Sequence, residues 1–297
     1  MAQGSKTKVK LEGVSETLLW NLYQRAIEAR RPNAVLHDPR AVELLDAIEY
    51  PFEERFGKAS GILAQPQALR CLCFDREIQR FLSNYPDGTV VALGEGLETQ
   101  FWRVDNERVR WLSVDLPETV EVRRKLLPDS NRLRTIACSA LDEWWIDEVD
   151  ASRGVLITAQ GLLMYLQPAE VYRLIASCAQ HFPGGALLFD GVPRWFSART
   201  MRQVMKTPEG YRPPPMPWGM DADERENIRK VHPNIVEVRE LRLPRGCGVL
   251  YGYLVPLMDL IPVVHDKRLI PTMPWSVMLA RFGTPDDHAK NINLTPR

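Results

Sequence analysis

The sequence is short of cysteine. Its 297 residues hold five, at positions 71, 73, 138, 178 and 247, an odd number with no spaced C-x-x-C pairs. That excludes a disulfide framework and points to a reduced, cytosolic compartment. The five histidines are scattered without ligand spacing, so no metal site is expected. Neither sign of charge is in excess, because Lys plus Arg and Asp plus Glu both number 38. A net charge of zero argues against a nucleic-acid binder that relies on bulk charge. No window reaches the roughly 18 apolar residues of a membrane span. The N-terminal MAQGSKTKVKLEGVSETLLW lacks the apolar segment and small-residue cleavage site of a signal peptide. A G-K-[ST] phosphate loop is also missing.

What is present suits a chain with a sizeable core, since 45% of residues are hydrophobic and 26% charged. From Ser15 to about Tyr85 the pattern is helical, in SETLLWNLYQRAIEAR, DPRAVELLDAIEY and QALRCLCFDREIQRFLSNY. Asp38 is placed to cap the second of these, with Pro39 at its first helical position. Cys71, Phe74, Ile78, Phe81 and Leu82 fall on one helical stripe, which makes Cys71 a small core residue rather than a ligand.

After Pro86-Asp87-Gly88 the period changes, and short β-branched runs alternate with helical stretches. TVVALG, VRWLSVD, RLRTIAC, GVLITAQG and GGALLFDG read as strands. LPETVEVRRKLL and PAEVYRLIASCAQHF read as helices opened by Pro117 and Pro168. This alternation predicts an α/β fold with a mostly parallel sheet and helices on both faces. The proline-rich segment TPEGYRPPPMPWGMDADE breaks the rhythm and reads as an inserted lid. NIVEVREL and GVLYGYLVPL are expected to form an antiparallel pair that closes the sheet.

Ligands of an open α/β sheet bind beyond the carboxyl ends of its strands. Four strand ends carry suggestive residues. Gly94-Glu95-Gly96 permits close backbone approach. Asp115, about twenty residues on, is a carboxylate suited to ribose hydroxyls. Ser139 and Ala140 leave room for a flat ring, and Gln160-Gly161 precedes an apolar run. Together they describe a nucleoside crevice, open to either a nicotinamide dinucleotide or S-adenosylmethionine. The absence of a third glycine and the long helical lead favour the second.

VVALGEGLETQFWRVD, WLSVDLPETVEVRRKLLP, AQGLLMYL and YRPPPMPWGM resemble the leucine carboxyl methyltransferase family. The similarity runs from about Thr17 to about Tyr253 and is greatest to its bacterial branch of tetracenomycin-type polyketide O-methyltransferases. It implies a class I methyltransferase (Rossmann-like) fold and S-adenosylmethionine as cofactor. It also implies an N-terminal helical cap over residues 1–85, a cofactor-binding domain over 86–297 and a lid at about 207–232. The resemblance assigns Arg70 to the cofactor carboxylate, Gly94 and Gly96 to the glycine turn, and Asp115, with Leu116 beside it, to the ribose. It assigns Ser139, Ala140 and Leu141 to the adenine and Arg25 to the cofactor's vicinity.

Three positions depart from the family pattern. G-L-D-T-R becomes Gly96-Leu97-Glu98-Thr99-Gln100, and Gln160 replaces a glutamate that faces the cofactor's ammonium group. Either Glu95 supplies the missing carboxylate, or it faces solvent and Gln160, next to Gly161, suffices. Met164, Tyr211, Met216 and Trp218 form a pocket for an aromatic acceptor or else fasten the lid. Tyr165 and His37 are placed to assist or to pack. The expected activity is O-methylation of a small-molecule carboxylate or phenol, without nucleic acid or membrane partners. The departures keep a weakly binding, non-catalytic relative as the alternative.

Overall fold

The structure, a computed structural model, describes residues 6–58, 60–206, 210–221, 223–255 and 276–284. Among the described residues, five strands of the central sheet pair in parallel: β1 (Thr89–Leu93), β2 (Arg110–Asp115), β3 (Leu133–Ala137), β4 (Val155–Ala159) and β5 (Ala186–Gly191). Two more, β6 (Ile235–Leu241) and β7 (Ser276–Phe282), add an antiparallel edge. The order across the sheet is β3-β2-β1-β4-β5-β7-β6. It reverses between β1 and β4, which opens a crevice beyond their carboxyl ends.

The four helices before β1 are α1 (Thr17–Ala29), α2 (Pro39–Ala47), α3 (Phe52–Phe56) and α4 (Gly61–Asn84). After it come α5 (Gln100–Val104), α6 (Pro117–Leu126), α7 (Pro168–His181), α8 (Arg194–Met201) and α9 (Glu224–Lys230). Asp38 caps α2 by accepting from the Ala41 amide at 3.0 Å, directly before Pro39. Gln167 and Glu170 close a reciprocal capping box on α7.

Period-two alternation sorts the strand residues onto two faces. Val91, Leu93, Val114, Ile157 and Phe189 pack with Val171, Leu174, Ile175 and Cys178 of α7. Val90, Ala92, Trp111, Leu156 and Leu188 pack with Phe74, Ile78 and Leu82 of α4 and with Phe101 of α5. Burying one such side chain contributes on the order of 1.5–3 kcal/mol. The first half of α4 instead packs with α1, so this helix ties the sheet to the N-terminal helices. No helix among the described residues is long and apolar enough to cross a membrane.

One expected element is corrected. The partner of β6 is β7, not the GVLYGYLVPL run. Leu250–Leu254 wind into a π-helical turn, in which Tyr251 and Val255, four apart, dock on Leu69. Val249 and Tyr253 point outward, an arrangement that period-two pairing cannot produce. Residues 256 and 257 of that run lie outside the described residues. The lid segment is irregular at 210–221 and becomes helical at α9, while 207–209 and 222 lie outside the described residues.

Candidate active site

The site is built around the loop after β1. Gly94 and Gly96 adopt the left-handed region, at φ 62° and 57°. A Cβ at Gly94 would sit 2.9 Å from Leu162 Cδ1, and one at Gly96 3.0 Å from Leu18 Cβ, so both positions are closed to side chains. The Gly96 amide donates to Asp115 Oδ2 and the Leu116 amide to Asp115 Oδ1, each at 2.7 Å. Burial raises the Asp115 pKa, and the two amides partly oppose it.

A cavity opens at this loop. Thr17, Leu18, Asn21 and Arg25 contribute one face of α1 to it, at helical spacing, and Arg70 enters from α4. The floor is the chain from Ala92 to Glu98, with Gln100, Thr158, Gln160 and Gly161. Seven of the expected cofactor residues therefore meet here: Arg25, Arg70, Gly94, Glu95, Gly96, Gln160 and Gly161. Asp115, Leu116, Ser139, Ala140 and Leu141 are not part of this lining. They lie just at or beyond the carboxyl ends of β2 and β3, and Asp115 is tied to the lining through the Gly96–Asp115 bond. There Ser139 Oγ accepts from the Leu141 amide at 3.1 Å and shapes the turn.

Arg70 is oriented by an acid that the motif reading passed over. Asp190, the fifth residue of β5, is fully buried and accepts from Arg70 Nη1 at 2.7 Å and from the Gly161 amide at 2.6 Å. It is a carboxylate at a strand end, the same signal that singled out Asp115. A Cβ at Gly161 would lie 3.5 Å from Arg70 Nη1, so the guanidinium rests on bare backbone.

Glu95 is corrected. It neither reaches for a ligand's ammonium group nor faces solvent. Its carboxylate pairs with Arg123 Nη2 at 2.9 Å and accepts from Trp111 Nε1 at 3.2 Å. Arg123, fully buried on α6, also donates to the carbonyls of Gly96 and Glu98 at 2.7 and 3.1 Å. The flanking left-handed glycines turn the Glu95 side chain into the core, where it braces the loop from behind.

The acid beside Gln160 is Glu98. Gln160 Nε2 donates to Glu98 Oε2 at 3.1 Å, and Glu98 is held by Arg25 at 3.0 Å and Arg103 at 2.8 Å. Burial opposes its charge, yet Arg25 and Arg103 overcome this and hold its pKa at about 2. Arg103 in turn grips Asp75 with two nitrogens, at 2.7 and 3.0 Å, and reaches Asp38 at 2.7 Å. Gln100 adds a bond to Asp75 at 2.7 Å. A buried charged network thus joins the caps of α2 and α5 to the cavity floor.

The expected acceptor residues separate. Met164, Tyr165 and Met216 share one small apolar cluster with Val192 and Phe196. Tyr211 packs edge-on against Phe56 of α3 at 5.0 Å. Trp218 is 2% exposed and belongs to the main core beside Phe189, so it fastens the lid. Its amide donates to the Met164 carbonyl at 3.3 Å, and the Met220 amide donates to the Val192 carbonyl at 2.7 Å. Burial pushes the Tyr165 phenol up to about 12, with Thr17 and Arg70 opposing, so at neutral pH it is a donor and not a base. His37 is exposed and outside the cavity lining.

Asp115→Ala tests the loop anchor. Two loop amides lose their acceptor, at about 1–3 kcal/mol of stability each where burial persists. Affinity for S-adenosylhomocysteine should fall by about 1.5–3 kcal/mol in calorimetry, the worth of a hydrogen bond to a charged group. Unchanged affinity would leave Asp115 as a loop anchor only.

Comparison with known proteins supplies the family. Residues 19–179 match the model of the leucine carboxyl methyltransferase family. The chain is 36% identical over 193 residues to the tetracenomycin polyketide synthesis O-methyltransferase TcmP of Streptomyces glaucescens, which spans 63% of this chain and 69% of that one. It is 28% identical over 239 residues to the S-adenosyl-L-methionine-dependent methyltransferase dpfgK of Gibberella zeae, over 74% and 80% of the two chains. A solved protein of Thermobifida fusca, assigned as a methyltransferase, superposes with a TM-score of 0.50 at 17% identity, over 88% of this chain and 94% of that one. That likeness is one of fold, the class I methyltransferase fold. An S-adenosylmethionine-dependent methyltransferase is thus what the comparisons make of this chain, and it belongs to the leucine carboxyl methyltransferase family.

Proposed function

We propose that the protein methylates an oxygen of a small aromatic molecule, a polyketide-like phenol or carboxylate. We also propose that the amino-acid end of S-adenosylmethionine lies between Arg70 and Gln160. The carrying observation is a pairing of opposite needs around Gly161. On one side stands a guanidinium aligned by Asp190. On the other, Gln160 Oε1 is buried without a hydrogen-bond partner among the described residues. A cation beside a spare acceptor complements an α-amino acid, whose carboxylate and ammonium sit on one carbon. The residues present therefore fit the cofactor. Asp115 is assigned to the ribose, and Leu116 and Ser139–Leu141 to the adenine.

When bound, the cofactor supplies an electrophilic methyl group on a sulfonium. The protein's part is to align an acceptor oxygen with it and to keep water out. Leu18 and Thr17 of α1 close the cavity over Gly96. Met164, Tyr165 and Met216, with Tyr211 of the lid packed against Phe56 of α3, are assigned to the acceptor side. A phenol or carboxylic acid ionises without an enzymic base, in keeping with a neutral Tyr165 and an exposed His37. The name of the relative TcmP supports an oxygen acceptor of polyketide type for this chain too.

The test offers the purified protein S-adenosylmethionine with a panel of hydroxylated aromatic acids, and separately with peptides bearing a free C-terminal leucine. Mass spectrometry should show one added methyl group on members of the aromatic panel. Methylation of the peptides alone would overturn the small-molecule reading.

A further inference from the structure

We infer that Glu98 is a positioning residue for the cofactor's ammonium group, acting through Gln160 as a relay that presents an oxygen. The inference rests on the cofactor reading above.

A glutamine amide has a donor end and an acceptor end, and turning it over exchanges them. Next to an ammonium group only the oxygen is useful. Something must therefore fix the amide. Both hydrogens of Gln160 Nε2 have partners on the protein side: Glu98 Oε2 at 3.1 Å and Cys71 Sγ at 3.3 Å. A carboxylate accepts and cannot donate, so Glu98 forbids the turned-over amide. The orphaned atom is then the oxygen, Oε1.

Glu98 is itself fixed at both oxygens. Oε2 faces Arg25 at 3.0 Å, while Oε1 takes Arg103 at 2.8 Å and the Thr99 amide at 2.9 Å. The two arginines keep it ionised. The outcome is a neutral oxygen at the ligand with a carboxylate one hydrogen bond behind it. This differs from a directly placed acid in one respect: Gln160 presents an acceptor only while its partner at 98 is a carboxylate within reach.

Glu98→Gln removes that condition. Whichever way the new amide turns, its NH2 faces donors: Arg25 and Gln160 on one side, Arg103 and Thr99 on the other. Gln160 then loses its reason to keep its oxygen outward. Glu98→Asp keeps the charge for both arginines and withdraws the carboxylate from Gln160, which guards against an unfolded first variant.

The experiment is calorimetric binding of two ligands: S-adenosylhomocysteine, and the analogue in which hydrogen replaces its α-amino group. The wild-type chain should prefer the amino form by about tenfold or more, the span of one hydrogen bond to a charged group. Both variants should lose most of that preference, with the affinity for the deaminated analogue nearly unchanged. Glu98→Gln combined with Gln160→Glu should regain it, because the acid now stands at the ligand. Equal losses for both ligands, or a preference kept in both variants, overturn the inference and leave Glu98 as a support of the loop. If the wild-type chain binds S-adenosylhomocysteine well but shows no preference for the amino form, the relay falls while the cofactor reading stands. No binding of S-adenosylhomocysteine overturns the cofactor reading, and the relay with it.

Discussion

Arg103→Ala should destabilise the protein by at least about 3–5 kcal/mol at neutral pH. That is the usual cost of removing one partner from a buried ion pair. Here the guanidinium serves three buried acids, Asp38, Asp75 and Glu98, so its loss leaves more than one of them short of a cation. Asp75 suffers most: burial already raises its pKa, and Arg103 is the main opposing charge. The deficit should be pH-dependent, and its sign follows from Glu98 together with the acids that lose Arg103, Asp75 above all. With a folded pKa of about 2 against an ordinary 4.5, Glu98 contributes stability in full above pH 4.5 and loses it as pH falls towards 2. Without Arg103 that contribution shrinks, and the orphaned acids bind protons instead. The gap between variant and wild type should therefore be widest at pH 7 and narrow towards pH 4. Urea unfolding at the two pH values measures this, and a gap that widens in acid would contradict it. Arg103→Lys should not restore the wild-type midpoint, because a point charge cannot hold Asp75 with two parallel bonds while reaching Asp38.

Trp218→Ala should cost a comparable amount, about 3–5 kcal/mol, as for large aromatic truncations in a core. The ring lies against Phe189 and over Gly191, where a Cβ would come within 2.9 Å of it. Removing it empties the seam between the lid and β5. Turnover should also fall, because Met216 rides on the same segment and is held to α8 by the Ser197 hydroxyl at 2.6 Å. Affinity for S-adenosylhomocysteine should change little. Lost turnover with an unchanged unfolding midpoint would instead restore Trp218 to the acceptor pocket.

These two residues also mark where reading the sequence stops. β1, β4 and β5 announce themselves because parallel strands buried on both faces are near-continuous apolar runs, each closed by a turn signal. The glycine turn, Asp115, Arg70 and Gln160-Gly161 could be located by strand-end logic and by resemblance to a family. What a linear pattern lacks is direction. It places Glu95 between two glycines but does not say that left-handed backbone on both sides turns its carboxylate inward to Arg123. Nor does it say that Glu98, three residues on, stands beside Gln160. Arg103 looks like an ordinary charge on a short helix until Asp38 and Asp75 arrive from helices far away in sequence. Trp218 sits in a proline-rich stretch that reads as a lid, and the sequence alone leaves it between acceptor pocket and lid fastening, whereas its ring is part of the core. β7 is not singled out by the sequence because a short run of residues buried on both faces resembles any apolar segment, while GVLYGYLVPL has the composition of a strand and the spacing of a helix.

The buried charges around Arg103 bear on how relatives of this chain can be recombined. Asp38 comes from the N-cap of α2, Asp75 from α4, Arg25 from α1, and their partners Glu98 and Arg103 from the loop and helix after β1. A chimera joined at Pro86, grafting another family member's first helices onto this sheet, would split the Arg25–Glu98, Arg103–Asp38 and Arg103–Asp75 pairs across the seam. Such hybrids should fold only when the residues at 25, 38, 75, 98 and 103 travel as a set. A library that shuffles the two halves freely should return survivors in which these five positions share one parent.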